Sequence, residues 1–145
     1  MTALVHHQVV SFPFGDADMA KILYFPRLFH YCHVVMEGFV LKSTGKSYQS
    51  LLDDRRLGFP TVHTEADYAA PMPYGRDLAF EFVLTHLGTS SMKLQFTVRM
   101  EGEERVRAVA RSTVVCVDMD RFESVPLPAD LRRDFAPYLH AASAP

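Results

Sequence analysis

Phe14-Gly15-Asp16-Ala17-Asp18-Met19-Ala20-Lys21-Ile22-Leu23-Tyr24-Phe25-Pro26 sets two carboxylates one residue apart among small residues, follows them with an apolar run, and ends on a proline. Beyond it, Leu28, Tyr31/Cys32, Val35 and Phe39 recur at spacings of three and four, the mark of an amphipathic helix. Pro26 suits the first helical turn, where its missing N–H costs nothing. Gly45, just after Lys42, is the expected stop. Phe29, Val34, Val40 and Leu41 widen the apolar stripe, which predicts a helix buried on most sides. The paired acids therefore stand just upstream of a helix N-terminus, whose free N–H groups and positive dipole end favour negative charge.

Working outward, residues 6–14 predict a first strand with Pro13 at its end or on an edge, since proline cannot donate to a ladder. Residues 15–23 read as a loop with one tight turn, and 48–57 as a short helical or irregular connection. Further strand signals lie at 58–70, 78–85, 92–99 and 106–117. Pro71 to Gly75 is a bend, and 88–91 and 101–104 are hairpin turns. Asp118 to Arg121 turns the chain out, a short helix begins near Pro128, and 141–145 is expected to fray. With no repeat, linker or low-complexity segment, 1–145 reads as one domain. A long helix on the concave face of an antiparallel sheet is an α+β arrangement. Such a sheet leaves edges that a second copy would cover.

Composition narrows the function classes. A chain of 145 residues, 48% hydrophobic and with 11 Phe, can bury a sizeable core. Its formal charge of −2 and scattered Lys and Arg make nucleic acid an unfavoured partner, while a small anionic ligand needs only a few local cations. Cys32 and Cys116 sit in apolar stretches without metal-type spacing, which predicts buried free thiols in a reducing compartment. The start, Met-Thr-Ala-Leu-Val-His-His, has neither a basic n-region nor an apolar h-region. No apolar run approaches the roughly 20 residues that cross a bilayer. The expectation is a cytoplasmic protein that does not engage a membrane.

The pattern leaves two readings of Asp16 and Asp18. Aspartates in a turn commonly serve its local hydrogen bonds. Before a buried helix, one of them could instead act as nucleophile or general base while the helix amides polarise a carbonyl. His33 and Glu37 share a helix face, with His30 nearby, yet no third ligand stands at a convincing spacing, so no metal is expected. His6-His7 is a lone pair near the terminus. His63 reads as a hydrogen-bonded sheet residue. Gly88-Thr89-Ser90-Ser91 is a hydroxyl-rich hairpin whose bland role is a turn and whose functional role would be contact with phosphate. No Walker A pattern, dinucleotide fingerprint or nucleophile elbow occurs.

Phe14 to Pro26 resembles the signature of hotdog-fold acyl-CoA thioesterases of the 4-hydroxybenzoyl-CoA thioesterase type, Gly-Asp-x-Asp-x-x-x, two apolar residues, Tyr, an aromatic and Pro. Similarity continues through Phe59-Pro60, Glu65 to Tyr68, Pro71, Tyr74-Gly75 and Leu78, and through Leu87 to Ser91, covering roughly residues 8–118. The resemblance implies a five-stranded antiparallel sheet wrapped around one long central helix, and a homodimer with sites at the interface, assembled into a dimer of dimers. It gives Asp18 the part of catalytic carboxylate and the Phe25 backbone N–H that of the group polarising the thioester oxygen. Asp16 shapes the loop. Thr89, Ser90 and Ser91 would contact coenzyme A, which is part of the substrate, so no cofactor is called for. Phe14, Tyr24, Phe29 and Val34 are candidates to line an acyl slot, with His33 and His63 also placed at the substrate. Met19-Ala20-Lys21 replaces the usual Pro-Ala-Gly or Ala-Gly-Gly, and His33 stands where many members carry an acid.

The reading that results is hydrolysis of an aromatic or medium-chain acyl-CoA. Two alternatives stand beside it. One is a thioester dehydratase or hydratase drafting His33 or His63 with Asp18. The other is a non-catalytic acyl-CoA-binding protein.

Overall fold

The three-and-four spacing beyond Pro26 closes into helix α1, Arg27–Thr44, in the computed structural model, which describes residues 2–141. Pro26 occupies the N-cap. Gly45 takes a left-handed φ of 78° and its N–H bonds to the Leu41 carbonyl at 2.9 Å, a helix stop glycine adopts without a Cβ penalty. The buried stripe is Leu28, Tyr31, Cys32, Val35, Met36, Phe39 and Val40. Phe29 and Val34 pack partly buried against it, but Leu41, expected to widen the stripe, is 53% exposed.

Around α1 the order is β1 (His6–Val10), α2 (Tyr48–Asp54), β2 (Leu57–Gly58), β3 (Thr61–Tyr68), β4 (Leu78–Leu87), β5 (Ser91–Met100), β6 (Val106–Val115), β7 (Val117–Asp118), β8 (Glu123–Ser124) and α3 (Ala129–Phe135). Five strands form an antiparallel sheet in the order β1-β4-β5-β6-β3. Strict alternation turns Leu78, Phe80, Phe82 and Leu84 inward, with Leu94, Phe96, Val98 and Met100 beside them. Phe39 stands at the centre of the packing, 4.5 Å from the Phe82 ring and 5.0 Å from those of Phe135 and Tyr138. The α+β expectation of a five-stranded sheet with one long helix is met, and two short helices accompany it.

Three strand boundaries differ from the expected ones, each for a local reason. The first strand stops at Val10, and Pro13, lacking an N–H, starts a 3-10 turn over Phe14–Asp16. The expected 58–70 strand is interrupted at Phe59-Pro60, so that Leu57–Gly58 leaves the main sheet to pair with β7. The expected 106–117 strand ends at Val115, because the Cys116 N–H is diverted to the Ser90 carbonyl at 2.8 Å. Beyond that break, β7 joins β2 and β8 in a small second sheet of order β2-β7-β8. From residue 142 on, the expected frayed end lies outside the described residues.

Cys32 and Cys116 are both buried and free. Burial pushes the Cys32 thiol up to about 12, and it raises Cys116 as well.

Candidate active site

Residues 16–24 form a small hairpin that presents Asp18. The Tyr24 N–H bonds to the Asp16 carbonyl at 2.8 Å, Ala17 and Leu23 bridge antiparallel, and the Asp18 N–H bonds to the Ile22 carbonyl at 2.9 Å. At the tip the Lys21 N–H bonds to the Asp18 carbonyl at 2.9 Å, and Lys21 itself is left-handed, φ 63°. Three-residue hairpin loops favour that conformation at their last position. Lys21 therefore takes the path a glycine would, at the modest cost of a left-handed residue with a Cβ. The hairpin is stitched onto a distant segment. The Leu23 N–H reaches the Met72 carbonyl and the Tyr74 N–H the Lys21 carbonyl, both at 2.9 Å, and Ile22 bridges Pro73.

The two aspartates have separate surroundings. Asp16 is largely buried, accepts the Tyr31 hydroxyl on Oδ2, and has the Arg27 Nε 3.4 Å from Oδ1. Burial, then the Asp16 carboxylate, pushes the Tyr31 hydroxyl up to about 12. Asp18 accepts the Ala20 N–H on Oδ1 at 2.8 Å, and its other oxygen has no partner among the described residues. The Phe25 N–H, at the entry to α1, likewise has no acceptor among the described residues, while the Phe25 carbonyl accepts the Tyr68 hydroxyl at 2.6 Å. Asp18 and Phe25 line one cavity of about 420 Å³, completed by Ile22, Leu23, Tyr68 and residues 69–72. A residue with a free carboxylate oxygen and a residue with a free amide at a helix start thus line the same mostly apolar space. That pairing can attack or hydrate a carbonyl and hold the oxygen that becomes negative.

The remaining sequence candidates are dispersed within one chain. Tyr24 is exposed and its ring sits 5.5 Å from that of Phe25. Phe29 and His33 line a separate, apolar cavity of about 210 Å³ beneath α1, with Cys32, Met36 and Thr64. His33 also contacts Glu37 at 3.1 Å. His63 is on the outer face, 3.4 Å from Glu65, in a polar groove with Lys93 and Arg111. Thr89 and Ser90 lie in the turn between β4 and β5, and Ser91 opens β5. The four residues suggested for an acyl slot do not gather. Phe14 meets Tyr74 edge-to-face at 5.4 Å, and Val34 lines a third groove beside α2. No group of three or more His, Cys, Asp or Glu side chains among the described residues is placed to hold a metal.

The sequence profile of the thioesterase-like superfamily matches residues 12–135. The chain belongs to that superfamily. This thioesterase is accordingly a thioester hydrolase with the hotdog fold. It is 30% identical over 120 residues to the 1,4-dihydroxy-2-naphthoyl-CoA hydrolase of Synechococcus elongatus, covering 82% of this chain and 86% of that one. A thioesterase-superfamily protein from Jannaschia superposes with a TM-score of 0.85 at 28% identity, covering 96% and 94% of the two chains. The gentisyl-coenzyme A thioesterase BH1999 superposes with a TM-score of 0.74 at 25% identity, covering 92% of this chain and 99% of that one.

Several residues of this thioesterase's cavity are not among the expected site residues. Tyr68 and residues 69–72 reach Asp18 only because β3 runs out beside the hairpin. Arg132 of α3 lies across the β4–β5 turn, donating to the Gly88 carbonyl at 2.5 Å and the Thr89 carbonyl at 3.3 Å. It brings a cation to a hairpin that reads as hydroxyls alone.

Proposed function

We propose that this thioesterase hydrolyses an aromatic or medium-chain acyl-CoA to the free acid and CoA. The observation that carries the reading is the one cavity lined by both Asp18 and Phe25. In this mechanism the Asp18 carboxylate either attacks the thioester carbon or removes a proton from the attacking water. The Phe25 N–H and the positive end of α1 stabilise the oxygen as it gains charge. The C–S bond then breaks, and CoA leaves as its thiol once protonated. On the direct route the acyl group is left as an anhydride on Asp18, which water then cleaves to free acid and carboxylate; on the other route the water oxygen passes straight to the acid. The names borne by the Synechococcus elongatus relative and by BH1999, both aromatic acyl-CoA hydrolases, favour an aromatic acyl group. Phe29 and His33 would line its slot, with Tyr24 and His63 at the edges of the substrate. Thr89, Ser90 and Ser91, backed by Arg132, would meet the CoA portion. The reaction requires no cofactor, and the compartment proposed is the cytoplasm.

A homodimer with sites at the subunit interface, paired into a dimer of dimers, completes this reading. Its support is β3, the outer strand of the sheet, seven of whose eight residues are exposed. Unpaired strand edges recruit another chain unless blocked. Val62, 62% exposed on this edge, is the place to block it. Val62→Lys is expected to shift the protein toward single chains in sedimentation, and an unchanged mass would place the contact elsewhere.

The function is tested by incubating the protein with a panel of aromatic and aliphatic acyl-CoAs and measuring released thiol. Turnover of at least one aromatic or medium-chain member is expected. No turnover on any thioester would return the protein to a binding role, and loss of water from a 3-hydroxyacyl-CoA would make it a dehydratase.

A further inference from the structure

We infer that Tyr31 and Arg27, acting through the Asp16 carboxylate, are positioning residues that set the distance between Asp18 and the Phe25 amide. The inference rests on the roles proposed above for those two groups. It begins from a buried charge. A carboxylate held in a largely buried place is costly unless its oxygens are satisfied. Asp16 meets that cost with the Tyr31 hydroxyl on one oxygen and the Arg27 guanidinium beside the other, and such charge-assisted contacts are stronger than neutral ones. Both donors come from the first turns of α1. The Tyr31 ring is itself wedged, 5.0 Å from His30 and 6.5 Å from Phe12.

The backbone of Asp16 is held on both sides as well. Its N–H bonds to the Pro13 carbonyl at 3.0 Å, and its carbonyl accepts the Tyr24 N–H at 2.8 Å. The Asp16–Tyr24 pair is the open end of the hairpin. Asp18 hangs two residues along one limb, and Phe25 follows directly on the other. Whatever fixes this pair therefore fixes both reacting groups relative to α1. Asp16 is not a helix cap, because the N-cap of α1 is Pro26 and no side chain caps it. Its contacts act across the hairpin neck instead. Loss of alignment at a reacting centre is expensive: about 1 Å can cost on the order of a hundredfold.

Tyr31→Phe keeps the ring and removes the one hydroxyl. The full-length variant is compared with the unaltered protein on the best acyl-CoA of the panel, with Asp18→Asn in parallel. The kcat of Tyr31→Phe is expected to fall about tenfold, with KM within about twofold. Amide hydrogen exchange across 16–25 is expected to quicken about tenfold while β4, β5 and β6 keep their rates. Arg27 is exposed on its outer side, so Arg27→Gln should fold readily and show the same pattern more weakly, with Arg27→Lys restoring most of kcat. A kcat within twofold of the unaltered protein, or a loss confined to KM, would overturn the inference. So would exchange that quickens everywhere, the signature of simple destabilisation. Should no acyl-CoA be turned over at all, the functional reading fails, and the exchange pattern still decides whether Tyr31 holds the hairpin.

Discussion

Replacing Asp18 by asparagine is expected to lower kcat at least about a hundredfold, the scale for losing a nucleophile or general base. The substitution suits this hairpin because Asn retains the one contact the side chain makes. Its amide oxygen can still accept the Ala20 N–H that Asp18 Oδ1 receives at 2.8 Å. The tip, with Lys21 left-handed and the Leu23 and Tyr74 amides bonded across to their partners, has no reason to move. What disappears is the negative charge of a residue that lines the cavity. KM should stay within a few-fold, since the cavity walls are unaltered. Steady-state kinetics with purified variant checks the point, and full activity in Asp18→Asn would sink the mechanism. Single turnover in heavy-oxygen water then tests the direct route. Label entering the Asp18 carboxylate means direct attack, with water opening the anhydride at the Asp18 carbon; label confined to the product acid means that water reached the acyl carbon, which either route allows.

Phe39→Ala should cost roughly 3–5 kcal/mol of stability, as for other large-to-small changes at aromatic core positions. Phe39 is 1% exposed and touches three aromatic rings from β4, α3 and the turn after it. Those elements come from separate parts of the chain and cannot all collapse into the space left. Domains are commonly stable by only about 5–15 kcal/mol, so the loss is a large share of the total. The melting temperature should fall by roughly 6–20 °C, at about 2–4 °C for each kcal/mol in chains near this size. Chemical denaturation reads the effect directly. A loss below about 1 kcal/mol would mean that the contact between α1 and the sheet is not the centre of the core.

The long helix was legible because its signals agree: apolar spacing, a proline at the start and a glycine whose left-handed turn ends it. The sheet was legible in number of strands and less so at their ends. Pro60 and Cys116 interrupt apolar runs that no periodicity rule divides, and the small β2-β7-β8 sheet depends on partners about sixty residues apart in the chain. In the site, pattern alone left Asp16 and Asp18 equivalent. Only resemblance ranked them, and their different partners became visible once Tyr31 and Arg27 folded back onto the loop. The Met19-Ala20-Lys21 departure from the family pattern proved compatible with the hairpin, since Lys21 takes the left-handed conformation itself. Tyr68 and Pro71 belong to the family-like stretch, but their place at the site, like that of Arg132, was not legible, because tertiary contacts alone bring these residues to the cavity and the β4–β5 turn.

The burial of the two cysteines bears on how activity can be read. Released CoA is most simply followed with a colour reagent for sulfur nucleophiles, and such reagents attack the thiolate. Cys32, pushed up to about 12, and Cys116, also raised, remain protonated and shielded at neutral pH. The folded enzyme should therefore be colourless toward the reagent over the minutes of an assay, and show its two thiols only after denaturation. No cysteine-free variant is needed for a clean baseline, and a slow rise in colour without substrate would report unfolding of the preparation instead of turnover.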